Sequence, residues 1–231
     1  MNAAAAPTRA RPADLADLGV YLVTDAAQAA RHDRDVVTTV VAAVAGGVRW
    51  VQLRCKQETD AETLALLRAV GDAVPDDVRL VVNDRVAVVR AALDAGVRVD
   101  GVHLGQSDGS PADARALMGP DLALGVSAST PDQLRAAARA GADHVGIGAV
   151  HATATKTDAP PPLGTAGACA LATVARDLGL APVAIGGLHE TDLPVLRAGG
   201  FAGAAVVSAV CAAADPASAA RRLVRAWEAA R

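Results

Sequence analysis

The chain has 231 residues and a formal net charge of −3, from 22 basic and 25 acidic side chains; 52% of its residues are hydrophobic and 2% aromatic. That balance excludes a broad polyanion-binding surface, and the scarcity of aromatics excludes base stacking along a single strand, so no nucleic-acid partner is expected and any anion site must be local. There is no run of about 18 apolar residues and no apolar leader core, so neither a membrane span nor a signal peptide is expected.

Residues 1–13, MNAAAAPTRARPA, read as a flexible tail, and 14–231 as a single catalytic domain. Val20–Thr24 is the first expected strand, closed by Asp25. Asp35–Gly46 has helical spacing and ends in a Gly-Gly stop. Val48–Lys56 (VRWVQLRCK) then begins as an apolar strand and ends in polar side chains at alternate positions. Strand side chains alternate between faces, so Trp50, Gln52, Arg54 and Lys56 are expected to share one. Two cations on one face repel each other unless an anion lies between them.

Thr59 and Glu62 form a capping-box signal for a helix running to Ala73. Arg79–Val82 is a strand ending in Asn83-Asp84, followed by a helix over Val86–Ala95. Gly101–Leu104 leads into Gly105-Gln106-Ser107-Asp108, and Pro111 occupies the first-turn position of the next helix, which ends at Met118-Gly119. Leu122–Val126 is a strand ending in Ser127, and Thr130-Pro131 starts a helix reaching Gly141. Asp143–Ile147 is a strand followed by Gly148–Gly164, a loop far longer than the usual βα connection of about 2–6 residues. Helix Thr165–Leu178, strand Pro182–Ile185 with Gly186-Gly187, helix Glu190–Ala198, strand Gly203–Val207 with Ser208, and helix Pro216–Ala230 complete the order.

Eight strands, apolar rather than cleanly alternating, as parallel strands covered on both sides should be, alternate with helices. A doubly wound open sheet shares this pattern, but eight repeats in a chain near the ~250 residues of a (β/α)8 TIM barrel favour the closed form. A barrel gathers the polar residues that follow each strand around one mouth. Asp84 and Asp108 follow adjacent strands, and oxygen-only ligands suit Mg2+ together with substrate phosphate. Each also has a plainer reading, Asp84 as a helix N-cap and Asp108 as a turn residue. Gly186-Gly187 and Gly203–Ser208 fall where such barrels bind phosphate, although the glycine pair alone would also make a tight turn. Thr153, Thr155 and Lys156 give the long loop the character of a substrate-closing lid; a solvated excursion is the alternative. His103 reads as a packed core histidine, and the other histidines carry no assigned role. Cys55, Cys169 and Cys211 lack metal-ligand spacing and read as free thiols of a reducing, cytoplasmic compartment.

YLVTD, VQLRCK, ND, GVHLGQSD, GVS, VGIGAV with TATK, PVAIGGL and AGAAVVSAV, in that order from Tyr21 to Ala212, resemble the thiamine-phosphate synthase family. The resemblance implies a TIM-barrel transferase that couples hydroxymethylpyrimidine pyrophosphate with a hydroxyethylthiazole phosphate, plain or carboxylated, to give thiamine phosphate and pyrophosphate. It implies that Gln52, Arg54, Lys56, Asn83, Ser127 and Lys156 bind the pyrimidine pyrophosphate, with Arg54, Lys56, Ser127 and Lys156 acting on the leaving group. Asp84 and Asp108 would bind Mg2+, and Thr153, Thr155, Gly187, Val207 and Ser208 the thiazole phosphate. The chain departs from the family pattern at Ser129, Ala149 and Ala152, where His, Pro and Pro are usual. Two alternatives remain open, a thiazole tautomerase-like enzyme and a non-catalytic phosphometabolite-binding barrel. The oligomeric state is open as well, a homo-oligomer included.

Overall fold

The computed structural model describes residues 15–153, 155 and 161–230, so the tail expected over 1–13 lies outside the described residues. Eight parallel strands close into a barrel in sequence order. They are β1 Gly19–Val23, β2 Trp50–Leu53, β3 Arg79–Asn83, β4 Gly101–Leu104, β5 Ala123–Ala128, β6 His144–Ile147, β7 Ala181–Ile185 and β8 Gly203–Val206. Pairing of Gly19 with Gly203 and of Tyr21 with Ala205 shuts the ring.

The helices are α1 Ala26–Ala30, α2 Val36–Ala45, α3 Asp60–Ala73, α4 Val86–Asp94, α5 Pro111–Met118, α6 Pro131–Arg139, α7 Gly164–Asp177, α8 Leu193–Ala198, α9 Ser208–Cys211 and α10 Pro216–Glu228. Local chemistry sets most of their starts. The Thr38 N–H donates to the Asp35 carboxylate at 2.7 Å, and Thr59 and Glu62 form the reciprocal capping box expected from the sequence. Pro111, Pro131 and Pro216 sit in first turns behind Ser110, Thr130 and Asp215 caps. The helix expected over Glu190–Ala198 is instead a 3-10 turn, Glu190–Asp192, running into α8, whose first turn holds Pro194. A proline there lacks the N–H that a continuous α-helix would use.

Two apolar layers hold the fold. Between strands and helices, Leu22, Val51, Leu53, Leu80, Val102, Leu124 and Ile147 pack against residues such as Leu67, Leu134 and Leu196. Inside the barrel, Tyr21, Val23, Trp50, Val81, Val183 and Ala205 fill the axis. Two aspartates staple neighbouring strands at the N-terminal rim. Asp100 accepts the Leu80 N–H at 2.8 Å and Asp143 the Leu124 N–H at 2.7 Å, paired with Arg79 and Arg115. These staples fix register at the end away from the polar mouth. Among the described residues, no helix is long and apolar enough to cross a membrane.

Candidate active site

The C-terminal strand ends enclose a cavity of about 700 Å³. Gln52 and Arg54 reach it from β2, Asn83 and Asp84 from β3, Asp108 from the turn after β4, and Ser127 from β5. Thr153 and Thr155 line it from the long loop, and Gly187, Val207 and Ser208 from the ends of β7 and β8. A more open depression of about 630 Å³ at the opposite rim, around Asp143, Arg176 and Phe201, contains none of these candidates.

Of the expected cations, Lys56 does not join the group. The regular strand β2 stops at Leu53, so the alternation expected to carry Lys56 onto the face of Gln52 lapses. Lys56 lies on a bend, exposed, and does not line the cavity. Lys156 lies outside the described residues.

Asp84 and Asp108 do meet, their carboxyls within hydrogen-bond reach. Burial, then the hydrogen bond and charge of Asp108, push the Asp84 carboxyl up to about 6, against the opposing pull of Arg54. Asp84 is not the helix cap: Arg85 occupies the cap position of α4, with no side-chain cap bond. Its φ of 65° is one that few non-glycine residues adopt. Asp108 does serve its turn, accepting the Gly105 N–H at 2.9 Å, while also facing Asp84. Arg54 stands by the same cavity. Its Nη1 is buried without a hydrogen-bond partner among the described residues, the nearest carboxylate being Asp25 at 3.9 Å. A buried guanidinium nitrogen in that condition is under-satisfied, and a ligand oxygen would complete it.

On the opposite wall, Gly186 and Gly187 have φ of 99° and 67°. A Cβ on either would lie 2.7 Å from the Ala149 Cα or from the Ala152 carbonyl oxygen. The pair thus lets the long loop close against β7. The first stem of that loop extends the sheet: the Val150 N–H donates to the Ile185 carbonyl at 3.0 Å and the His151 N–H to that of Gly186 at 2.9 Å. His151 is further tied to Asp192 at 3.1 Å.

The short helix α9 begins at Ser208, and the turn after it is clamped from the start of the chain. Arg34 donates to the carbonyls of Cys211, Ala213 and Ala214, and the His32 ring contacts the Ala212 carbonyl at 2.9 Å. The Cys211 thiol lies 3.7 Å from the Val23 carbonyl.

Two of the cavity's deeper residues, His103 and His144, carry no sequence signal that separates them from core. Gln52 donates to the Tyr21 hydroxyl at 3.2 Å, deep in the barrel. His103 lies 3.1 Å from Ser127 Oγ through Nε2. His144 is fully buried beside Tyr21, Trp50 and His103, and neither ring nitrogen has a hydrogen-bond partner among the described residues. Burial lowers its pKa to about 4, so the ring is neutral at pH 7. Ser129 pairs with Gln133, whose side-chain oxygen accepts from the Ser129 N–H at 2.7 Å.

The profile of the family described as thiamine monophosphate synthase matches residues 20–210. Thiamine-phosphate synthase of Xanthobacter autotrophicus is 46% identical over 219 residues, covering 93% of this chain and 98% of the relative. That of Azorhizobium caulinodans is 42% identical over 208 residues, covering 90% and 93%. Among solved structures, thiamine phosphate pyrophosphorylase from Pyrococcus furiosus superposes with a TM-score of 0.79 at 29% identity, covering 94% of this chain and 98% of that one. A 3-hexulose-6-phosphate synthase, at 21% identity and a TM-score of 0.65, shares the fold. With its barrel, its polar rim and these likenesses together, the chain belongs to the thiamine monophosphate synthase family.

Proposed function

We propose that this cavity joins hydroxymethylpyrimidine pyrophosphate to hydroxyethylthiazole phosphate, plain or carboxylated, releasing pyrophosphate and thiamine phosphate. The observation that carries the reading is the Asp84–Asp108 pair facing an under-satisfied Arg54 across one cavity. Two carboxylates this close are relieved by a cation, and a guanidinium beside them calls for an anion. A divalent cation with a diphosphate satisfies both. The relatives compared carry the synthase name, which does not favour the tautomerase-like alternative.

Asp84 and Asp108 would hold Mg2+. No cluster of three or more His, Cys, Asp or Glu suited to a metal occurs among the described residues, so diphosphate oxygens and water would supply the remaining ligands. When bound, the ion supplies positive charge to the leaving diphosphate.

The protein's own groups do the rest. The carbon that is attacked carries an electron-rich ring, so departure of the diphosphate runs ahead of bond formation. Arg54 opposes the negative charge that gathers on the leaving oxygens, the role also assigned to Lys56 and Lys156. Ser127 donates a hydrogen bond to the same group, and Asn83 and Gln52 hold the pyrimidine in place. Thr153 and Thr155, with backbone N–H groups at Gly187 and Val207-Ser208, hold the thiazole phosphate so that its ring nitrogen faces the vacated carbon. Val183, Ile185 and Ala205 form an apolar floor that keeps water from the pyrimidine cation. No side chain is asked to act as nucleophile.

The test is pyrophosphate release from the two precursors, with and without Mg2+. Release that requires both precursors and the ion supports the reading; thiazole phosphate binding with no release under either condition refutes it.

A further inference from the structure

His103 has no part in the chemistry proposed above, although its ring lines the cavity and lies 3.1 Å from Ser127 Oγ. A serine hydroxyl has one proton to give and two lone pairs to accept with. If Ser127 donated to His103, it would have nothing to donate to the departing diphosphate. If His103 donates instead, the serine proton is left for the substrate. We propose that His103 is a positioning residue: its Nε2–H donates to Ser127 Oγ and thereby directs the only serine proton at the leaving diphosphate. This deepens the function proposed above and rests on the assignment of Ser127 to that group.

The barrel is built to hold the ring in that place. His103, Gly125 and His144 lie side by side on β4, β5 and β6. A Cβ at Gly125 would come within 2.4 Å of His103 Nδ1 and 2.2 Å of His144 Nε2, so both rings occupy the space that its missing side chain leaves. A Cβ at Gly146 would sit 3.2 Å from His103 Cε1. The His144 ring, 5.6 Å away between centroids, packs on a further side. With β5, β6 and a second imidazole around it, the His103 ring is held with Nε2 toward Ser127. The opposite role, removal of the serine proton by His103, would generate an alkoxide beside two carboxylates and a diphosphate, where negative charge is least tolerated.

The experiment measures kcat and both KM values at saturating Mg2+ for Ser127→Ala, His103→Leu, His103→Asn, His103→Gln and the Ser127→Ala/His103→Leu double variant. Glutamine places an amide N–H near the position of Nε2, whereas asparagine places it near Nδ1, out of reach of Ser127. Ser127→Ala, His103→Leu and His103→Asn should each lower kcat about 10- to 100-fold with little change in either KM. The double variant should be no slower than the slower single, and His103→Gln should recover most of the loss. Losses that multiply in the double variant, a wild-type kcat for His103→Leu, or a His103→Gln as slow as His103→Asn would each overturn the inference while leaving Ser127 in place. A wild-type kcat for Ser127→Ala would overturn the assignment of Ser127 itself. Should His103→Leu fail to fold, the two polar variants decide: glutamine faster than asparagine upholds the inference, and equal rates overturn it.

Discussion

Replacing Asp84 with asparagine should make the metal-free protein more stable while disabling the enzyme. The Asp84 carboxyl rises from 3.8 to about 6 on folding, chiefly through burial and then through Asp108. At about 1.4 kcal/mol per pH unit this would cost about 3 kcal/mol for a fully buried group; the carboxyl is only partly buried, and solvent screening reduces the cost to about 1–2 kcal/mol. The sign follows from the proton count. Between pH 4 and 6 the folded chain keeps a proton that the unfolded chain has released, so this contribution is fully favourable near pH 4 and is lost as pH rises through 6. Asparagine removes the charge, keeps the shape and tolerates the φ of 65°, which alanine would occupy at a further cost of about 1–2 kcal/mol. Thermal unfolding in chelator at pH 8 should therefore show Asp84→Asn melting about 2–6 °C above wild type, a gap that closes toward pH 4. Added Mg2+ should raise the wild-type melting temperature and leave the variant nearly unmoved, and kcat should fall at least 100-fold, as for loss of a principal electrostatic group. A variant that melts at or below wild type in chelator at pH 8, or one that Mg2+ stabilises as strongly as wild type, would refute the idea that two facing carboxylates await a cation.

His144 should act in the opposite direction over nearly the same range: its folded pKa is depressed to about 4, so stability is complete above 6.5 and falls as pH drops toward 4, by as much as about 3 kcal/mol. His144→Phe should flatten that acid limb, read as the wild-type-minus-variant difference in urea midpoint; an unchanged slope counts against a neutral, unsolvated ring. Gly187→Ala, with φ at 67° and a Cβ 2.7 Å from the Ala152 carbonyl oxygen, should raise KM for the thiazole phosphate while sparing that for the pyrimidine substrate. Equal effects on both would separate the glycine pair from the phosphate. Arg54→Lys should lower kcat/KM about 10- to 100-fold, because a point charge cannot replace the planar fork; near-normal turnover would mean that charge alone suffices.

The strand order and most helix starts were legible because each rests on local chemistry: apolar runs for strands, Thr59 with Glu62 or Ser110 with Pro111 for helix starts. The helices α1 and α9 were not, being five and four residues long, too short for an apolar period to develop. The rim residues could be read because polar groups at strand ends stand out against valine and leucine. His103 and His144 sit deeper, where the inside of a barrel is core and cavity at once. An inward-facing histidine on a strand has the same sequence signature in either role. The expectation that Lys56 shares the strand face of Gln52 failed for a geometric reason: strand alternation was carried three residues beyond Leu53, where β2 had already ended.

The clamp that Arg34 places on the turn after α9 ties the last βα unit to the first, across a separation of roughly three quarters of the chain. The phosphate seat proposed at Ser208 therefore cannot take shape locally; it would appear only when the ring shuts. A partly folded intermediate with open ends would hold its aspartates and Arg54 yet have no seat for the second substrate. Catalytic competence should then arrive in a single late event, timed by the slow search that joins distant termini. Two complementary half-barrels mixed together would switch on as they dock, and neither alone would bind the thiazole partner.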